Sequence, residues 1–218
     1  MRRPPGYIGA LTKAREVGDY FARLAELEEA SIEAYRLLAT ELTDVDAPAT
    51  FIRTARRSAK DKERQAGLVA SLARRFGGVP VTPQFPEVSG RTLEEVAIHN
   101  AAEGCIRETY ASLVAAMQAE RAEDKVIRAA MLTIARDEAE QSTFAWNIGA
   151  WLEMQLAMDA RDRYAAAARA AVKDLRSEAY TPYPEAMRKI AGLPSVRDAL
   201  ALIDHLDKSM WGKLALTA

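Results

Sequence analysis

The sequence predicts an all-α protein, a four-helix bundle with a long crossover between helices 2 and 3, extended by C-terminal helices. Three observations carry this expectation. Apolar residues recur at helical spacing over most of the 218 residues, and no stretch alternates β-branched residues with period two. Ala, Leu, Arg and Glu, which favour helix, dominate the composition. A long interruption, GGVPVTPQFPEVSG, holds three prolines and cannot itself be helix.

Residues 1–16 read as an N-terminal extension. MRRPPGYIGALTK has two arginines but no apolar run of signal-sequence length. The first helix is expected over residues 17–43, with Leu24, Leu27, Glu28, Ser31, Ile32, Tyr35, Leu38 and Leu42 on its inward stripe. TDVDAP makes a turn, and a second helix follows over residues 48–76 until Gly77 and Gly78 stop it. Its stripe is Phe51, Ala55, Ser58, Lys62, Gln65, Val69, Leu72 and Phe76.

The proline-rich stretch, extended at about 3.1 Å per residue, covers about 40 Å. A helix of the preceding length, rising about 1.5 Å per residue, spans the same distance. Such a connector can return the chain along the whole bundle, so that the third helix starts at the same end as the second. That helix begins after Thr92, with Glu94 and Glu95 in a first turn where the helix dipole favours anions. Its stripe is Val96, His99, Glu103, Ile106, Tyr110, Leu113 and Met117. After a break near RAED, the fourth helix places Ile127, Met131, Ile134, Glu138, Gln141, Ala145, Ile148 and Leu152 inward. Another helix is expected to residue 179, YTPYPEAM interrupts, and a last amphipathic helix covers residues 195–211. The domain reading is therefore an extension (1–16), a bundle (17–157) and a helical extension packed on it (158–218). Trp146, Trp151 and Trp211 read as anchors between bundle and tail.

Composition narrows the function. Thirty Lys and Arg against 31 Asp and Glu give no basic field for nucleic acid, and no apolar run is long enough for a membrane span. The single Cys105 forms no internal disulfide framework and fits a reducing compartment, so a cytoplasmic location is expected. A small-molecule or protein partner and a homo-oligomer are left open.

Seven polar side chains fall on the inward stripes near mid-helix: Glu28, Lys62, Gln65, His99, Glu103, Glu138 and Gln141. Burying an ion costs several kcal/mol unless it is paired or binds metal, so a cluster drawn from four helices reads as a site or the remains of one. Glu63 is the alternative to Lys62, but it belongs with Ala66, Ala70 and Ala73 on a face of small residues. Tyr35 and Tyr110 lie seven residues after Glu28 and Glu103 and share the faces of those carboxylates. Cys105 reads as a buried structural thiol and His205 as a surface residue of the tail.

LEEASIEAYRLLATEL, RRSAKDKERQAGLVASLARRFGG, AIHNAAEGCIRETYASLVAAMQA and IARDEAEQSTFAWNIGAWL together resemble the ferritin-like superfamily of di-iron carboxylate proteins, of ferritin and rubrerythrin type, in a bacterial branch. The resemblance covers residues 20–155. It implies metal-ligand positions at Glu28, Glu103 and Glu138. It also implies that Lys62 stands where the second helix carries Glu, that Gln65 and Gln141 stand at the two His positions, and that His99 replaces a further carboxylate. The implied site is a degenerate di-iron site, not a competent ferroxidase.

Three carboxylates against Lys62 leave about two negative charges uncompensated if His99 is neutral. Three readings follow. In the first, the bundle is metal-free with no cofactor, Lys62 bridges the carboxylates, and the chain is a structural or interaction module. In the second, one divalent ion (Fe, Mn or Zn) is held by Glu28, Glu103 and Glu138 with His99 or Gln141, and the chain is an oxidoreductase. In the third, Lys62 is a catalytic amine with Glu103 and His99 as proton partners, or Tyr110 or Tyr35 carries a radical. Whether the chain is an enzyme stays open at this level.

Overall fold

The computed structural model describes residues 1–9 and 13–212. The expected extension and tail thus include positions, 10–12 and 213–218, that lie outside the described residues. Among the described residues the regular structure is entirely helical. The α-helices are α1 (Val17–Asp44), α2 (Ala49–Arg75), α3 (Leu93–His99), α4 (Thr109–Arg121), α5 (Lys125–Gln155), α6 (Met158–Ala179), α7 (Glu185–Ala191) and α8 (Val196–Leu206). A π-helical segment, Asn100–Glu108, joins α3 to α4 in one continuous rod, and a second one, Asp207–Trp211, prolongs α8. Among the described residues, no helix is long and apolar enough to cross a membrane.

Local chemistry sets the boundaries. At the end of α2, Gly77 takes φ +77°. Its N–H bonds to Arg74 O at 3.1 Å while the N–H of Gly78 bonds to Ala73 O at 2.8 Å. This paired closure uses carbonyls that the helix end would otherwise leave bare. Thr92 and Glu95 form a capping box at the start of α3, as do Ser195 and Asp198 at α8. Asp124 caps α5 through the N–H groups of Val126 and Ile127, and it also pairs with Arg75 near the end of α2. The expected break between residues 179 and 195 contains one short helix, α7, which follows Pro184 and stops at Gly192.

Helix α1 packs along α2, α4 along α5, and α2 meets α5, while α6 lies on α3 and the π segment. Residues 76–92 hold no helix past the turn that ends α2. They start beside Gly18, where a side chain would collide with Phe76 O and Gly78 N at 2.4 and 2.6 Å. They end where Arg91 pairs with Glu41, at 2.6 and 2.7 Å, on the last turn of α1. The two ends of the connector therefore lie beside opposite ends of α1.

The interior is split in two. One apolar cluster includes Phe21, Leu24, Val69, Leu72, Met131 and Ile134; the other includes Tyr35, Leu38, Ala55, Ile106, Ile148 and Leu152. Between them lies a layer of buried polar side chains, drawn from α1, α2, α5 and a third rod made of α3, the π segment and α4. Among them are Glu28 and Ser31 on α1, Lys62 and Gln65 on α2, Glu108 and Ser112 on the third rod, and Glu138 and Gln141 on α5.

Candidate functional site

Lys62 sits at the centre of that layer and is fully buried. Its Nζ donates to Glu28 Oε2 at 2.8 Å, to Gln65 Oε1 at 2.9 Å, and to Glu138 Oε1. Three donors thus meet three acceptors, which is the full capacity of an ammonium. Burial pulls the Lys62 pKa down, but Glu138, Glu28 and the more distant Glu108 outweigh it and hold the ammonium above the ordinary lysine value. The neighbouring residue, Glu63, points outward and pairs with Arg36, so the α-helical register inferred for this stretch holds. Gln65 is anchored from behind, with Nε2 donating to Asp137 Oδ2 at 3.1 Å.

The two carboxylates beside Lys62 differ. Burial pushes Glu138 up, yet Lys62 and the Met1 amino group outweigh it and hold the carboxyl below its usual range. Burial dominates at Glu28, whose pKa is raised despite Lys62. Its Oε1 and both amide atoms of Gln141 are buried without a hydrogen-bond partner among the described residues.

The third rod departs from expectation. Glu103 is buried but does not join Lys62. It receives Arg3 Nε and Nη2 at 2.8 and 2.5 Å and the Arg3 backbone N–H at 3.2 Å, with Arg107 3.5 Å away. Burial raises its pKa, but Arg3 and Arg107 outweigh this and leave the carboxyl lowered. The carboxylate that faces the Lys62 network is Glu108, which the sequence reading did not select. The cause is the π segment. Its i→i+5 pattern inserts a residue into the helical repeat, so the position below Glu103 on the inward face is Glu108 rather than Arg107.

The expected inward residues Tyr110, Leu113 and Met117 are accordingly only partly buried, while Ser112, Ala115 and Gln118 are buried. Tyr35 remains inside, and its hydroxyl donates to Glu108 Oε1 at 2.6 Å. Tyr110 lines a separate cavity with Tyr183 and Glu178. His99 lies near Arg2 and Arg91; burial first, then those two cations, push it down to about 3, so it is neutral.

The start of the chain completes the network. The Met1 amino group donates to Glu138 Oε2 at 3.1 Å. Arg2, at 1% exposure, is as buried as a core leucine. Its Nη2 donates to Asn100 Oδ1 at 2.6 Å and stands 3.7 Å from Glu108 Oε2, and its guanidinium lies 5.5 Å from the centre of the Tyr35 ring. Ser31 Oγ donates to the Arg2 carbonyl at 2.7 Å. Gly104 makes the space, for a Cβ there would meet Arg2 Nη2 at 2.3 Å and Asn100 Oδ1 at 2.8 Å. The segment is therefore a strap seated in a shaped recess, not a loose tail. Its signal in the sequence was two adjacent arginines with no assigned role, beside a cluster about two positive charges short.

Cys105 is buried within the π segment, and burial raises its thiol pKa to about 12, so it is no nucleophile. Its carbonyl accepts from Thr109 Oγ1 at 2.7 Å and from Trp211 Nε1 at 3.2 Å. Trp211 thereby ties the end of the chain's last described helix to the rod, while Trp151 packs edge-on against Phe51.

A two-metal centre of the type the resemblance implies does not fit this donor set. An ammonium lies between two of the carboxylates, a third is held by Arg3, and both His positions carry Gln, whose amide is a poor ligand for iron. Lys62, Arg2 and the Met1 amino group already match Glu28, Glu108 and Glu138 in charge. Among the described residues, no three His, Cys, Asp or Glu side chains are grouped to hold a metal ion. No protein-family model, curated protein or solved structure matches the chain.

Proposed function

We propose that the chain is a ferritin-like four-helix bundle, with residues 76–92 as its crossover, in which internal cations replace a two-metal centre. Its role on this reading is that of a non-redox helical scaffold, held in register by a buried ion network. The arrangement of α1 with α2 and α4 with α5, and the connector's two ends beside opposite ends of α1, support the fold. One observation carries the functional reading, namely Lys62 bonded at once to Glu28, Glu138 and Gln65. A protonated lysine has no lone pair, so it neither ligates a metal nor attacks a carbonyl. What it supplies is charge and register. Breaking one member leaves the others buried and uncompensated, which penalises any slippage of α1, α2 or α5.

Elemental analysis tests this. Protein purified without chelator, from cells grown with added iron, manganese and zinc, should carry far less than one metal per chain. About one metal per chain, lost on Glu138→Ala, would overturn the proposal and favour a mononuclear oxidoreductase.

A further inference from the structure

A cavity of about 750 Å³ lies between α1 and α4, roofed by residues from 1–9 and 13–15 and by residues 175–183. Its volume falls in the range of small-molecule sites. Leu24, Leu27, Val114, Met131 and Leu175 supply apolar wall, and Tyr7, Tyr20, Tyr110 and Tyr183 supply four of the chain's seven tyrosines. Five cationic side chains line it (Arg3, Lys13, Arg15, Arg23 and Arg107), against the carboxylates of Glu26 and Glu178.

Most of these groups are engaged within the protein, which singles out the ones that are not. Arg3 and Arg107 are tied to Glu103, and Arg107 also to Glu178. Tyr20 donates to Gln118, and the Tyr7 hydroxyl is held up to about 12 by burial and then by the nearby Glu26. Lys13 is different. Its Nζ donates to Thr181 O at 2.6 Å and lies 4.5 Å from the centre of the Tyr183 ring, with no carboxylate at ion-pair distance among the described residues. The Tyr110 and Tyr183 side chains line the cavity, and no described residue hydrogen-bonds to their hydroxyls.

The geometry points to a binding site for a small organic anion, a carboxylate carried on an apolar body. The carboxylate pairs with Lys13 and accepts from the Tyr110 and Tyr183 hydroxyls, while the body fills the space walled by Leu24, Val114 and Met131. A half-buried ammonium and two idle hydroxyls would each gain a charge-assisted hydrogen bond from such a ligand, whereas a neutral acceptor would receive one only from Lys13, without the ion pair, and a cation would be repelled by it. The site shares Met1 with the Lys62 network but uses none of that network's carboxylates, and it stands whether or not that network excludes metal.

Titration calorimetry of the full chain with decanoate tests it, with decanol and decyltrimethylammonium as neutral and cationic counterparts. Decanoate should saturate at one per chain and bind at least about tenfold more tightly than decanol. Lys13→Gln should weaken decanoate about tenfold, and Tyr110→Phe, which keeps the volume, by a smaller factor. Val114→Trp, which fills the cavity, should abolish binding while the helical circular dichroism is kept; if that variant does not fold, the other two decide. No decanoate binding, decanol binding as tight as decanoate, or an affinity unchanged by both Lys13→Gln and Tyr110→Phe would overturn the site.

Discussion

The two sides of the polar layer are built by different means. On the side of α1, α2 and α5, every member lies where an unbroken α-helical repeat puts it, and the cation is a side chain of the layer itself, Lys62. On the side of the third rod, a π segment leaves Glu103 buried against Arg3 and brings Glu108 to the Lys62 network, and the cation is Arg2, delivered from about a hundred residues away. The first side is specified by periodicity alone. The second depends on a rod and a strap shaped for each other, with Gly104 as the point of contact. Charge neutrality of a buried layer is thus a property of the fold, which no single helix carries.

The difference can be broken from either side. The largest effect is expected at Lys62. Lys62→Met leaves Glu28 and Glu138 buried against each other and should cost about 3–5 kcal/mol in urea unfolding. A loss under about 1 kcal/mol would mean that the carboxylates find other partners. On the strap side, Gly104→Ala drives a methyl into Arg2 and should cost about 1–3 kcal/mol. Pairing it with Arg2→Ala should cost less than the sum of the two single changes, because the tightest of the collisions, that with Arg2, is then gone while those with Ala145 and Asn100 remain; strict additivity would show that the recess does not hold Arg2.

The strap also sets a pH dependence. His99 is neutral in the fold because burial, Arg2 and Arg91 push it to about 3, against an ordinary value of 6.5. The unfolded chain therefore binds the extra proton between those values, and stability falls as pH drops through that window, by up to about 1.4 kcal/mol per pH unit. His99→Gln should flatten that slope; an unchanged slope would assign it to the carboxylates instead.

Much of the layer was legible in the sequence and part was not, for reasons that particular residues make plain. The α5 stripe from Ile127 to Leu152 is buried at every position inferred, because nothing interrupts its α-helical repeat. Lys62 rather than Glu63 followed from the same logic. The third rod failed beyond Ile106, where Tyr110, Leu113 and Met117 are only partly buried, because its register depends on a π segment, and neither Gly104 nor the flanking residues announce one in a periodic count. Arg2 was invisible for another reason. Long-range pairing of a terminal strap leaves no periodic trace, only an unbalanced charge sum. The connector from residue 76 to residue 92 was readable as non-helical from its prolines, and the placement of its ends follows from the contacts at Gly18 and Glu41.

The smallest expected effect is none. Lys62→Glu combined with Gln65→His and Gln141→His restores the side-chain types that the resemblance implies on α2 and α5. It should still bind no iron pair, because Glu103 stays with Arg3 and Arg2 stays against Glu108. Two irons per chain in that variant would show that the strap yields to metal, and would move the weight of the account from the third rod to Lys62 alone.

The charge state of Lys62 carries the central claim, and it can be observed directly. The 15Nζ resonance of Lys62, identified by its loss in Lys62→Met, can be followed from neutral pH upward in the intact protein. It should keep the shift of an ammonium past pH 10.5, the ordinary lysine value, because Glu138 and Glu28 hold the proton in place. A resonance that deprotonates well below that value would contradict the account and return Lys62 to the list of candidate catalytic amines.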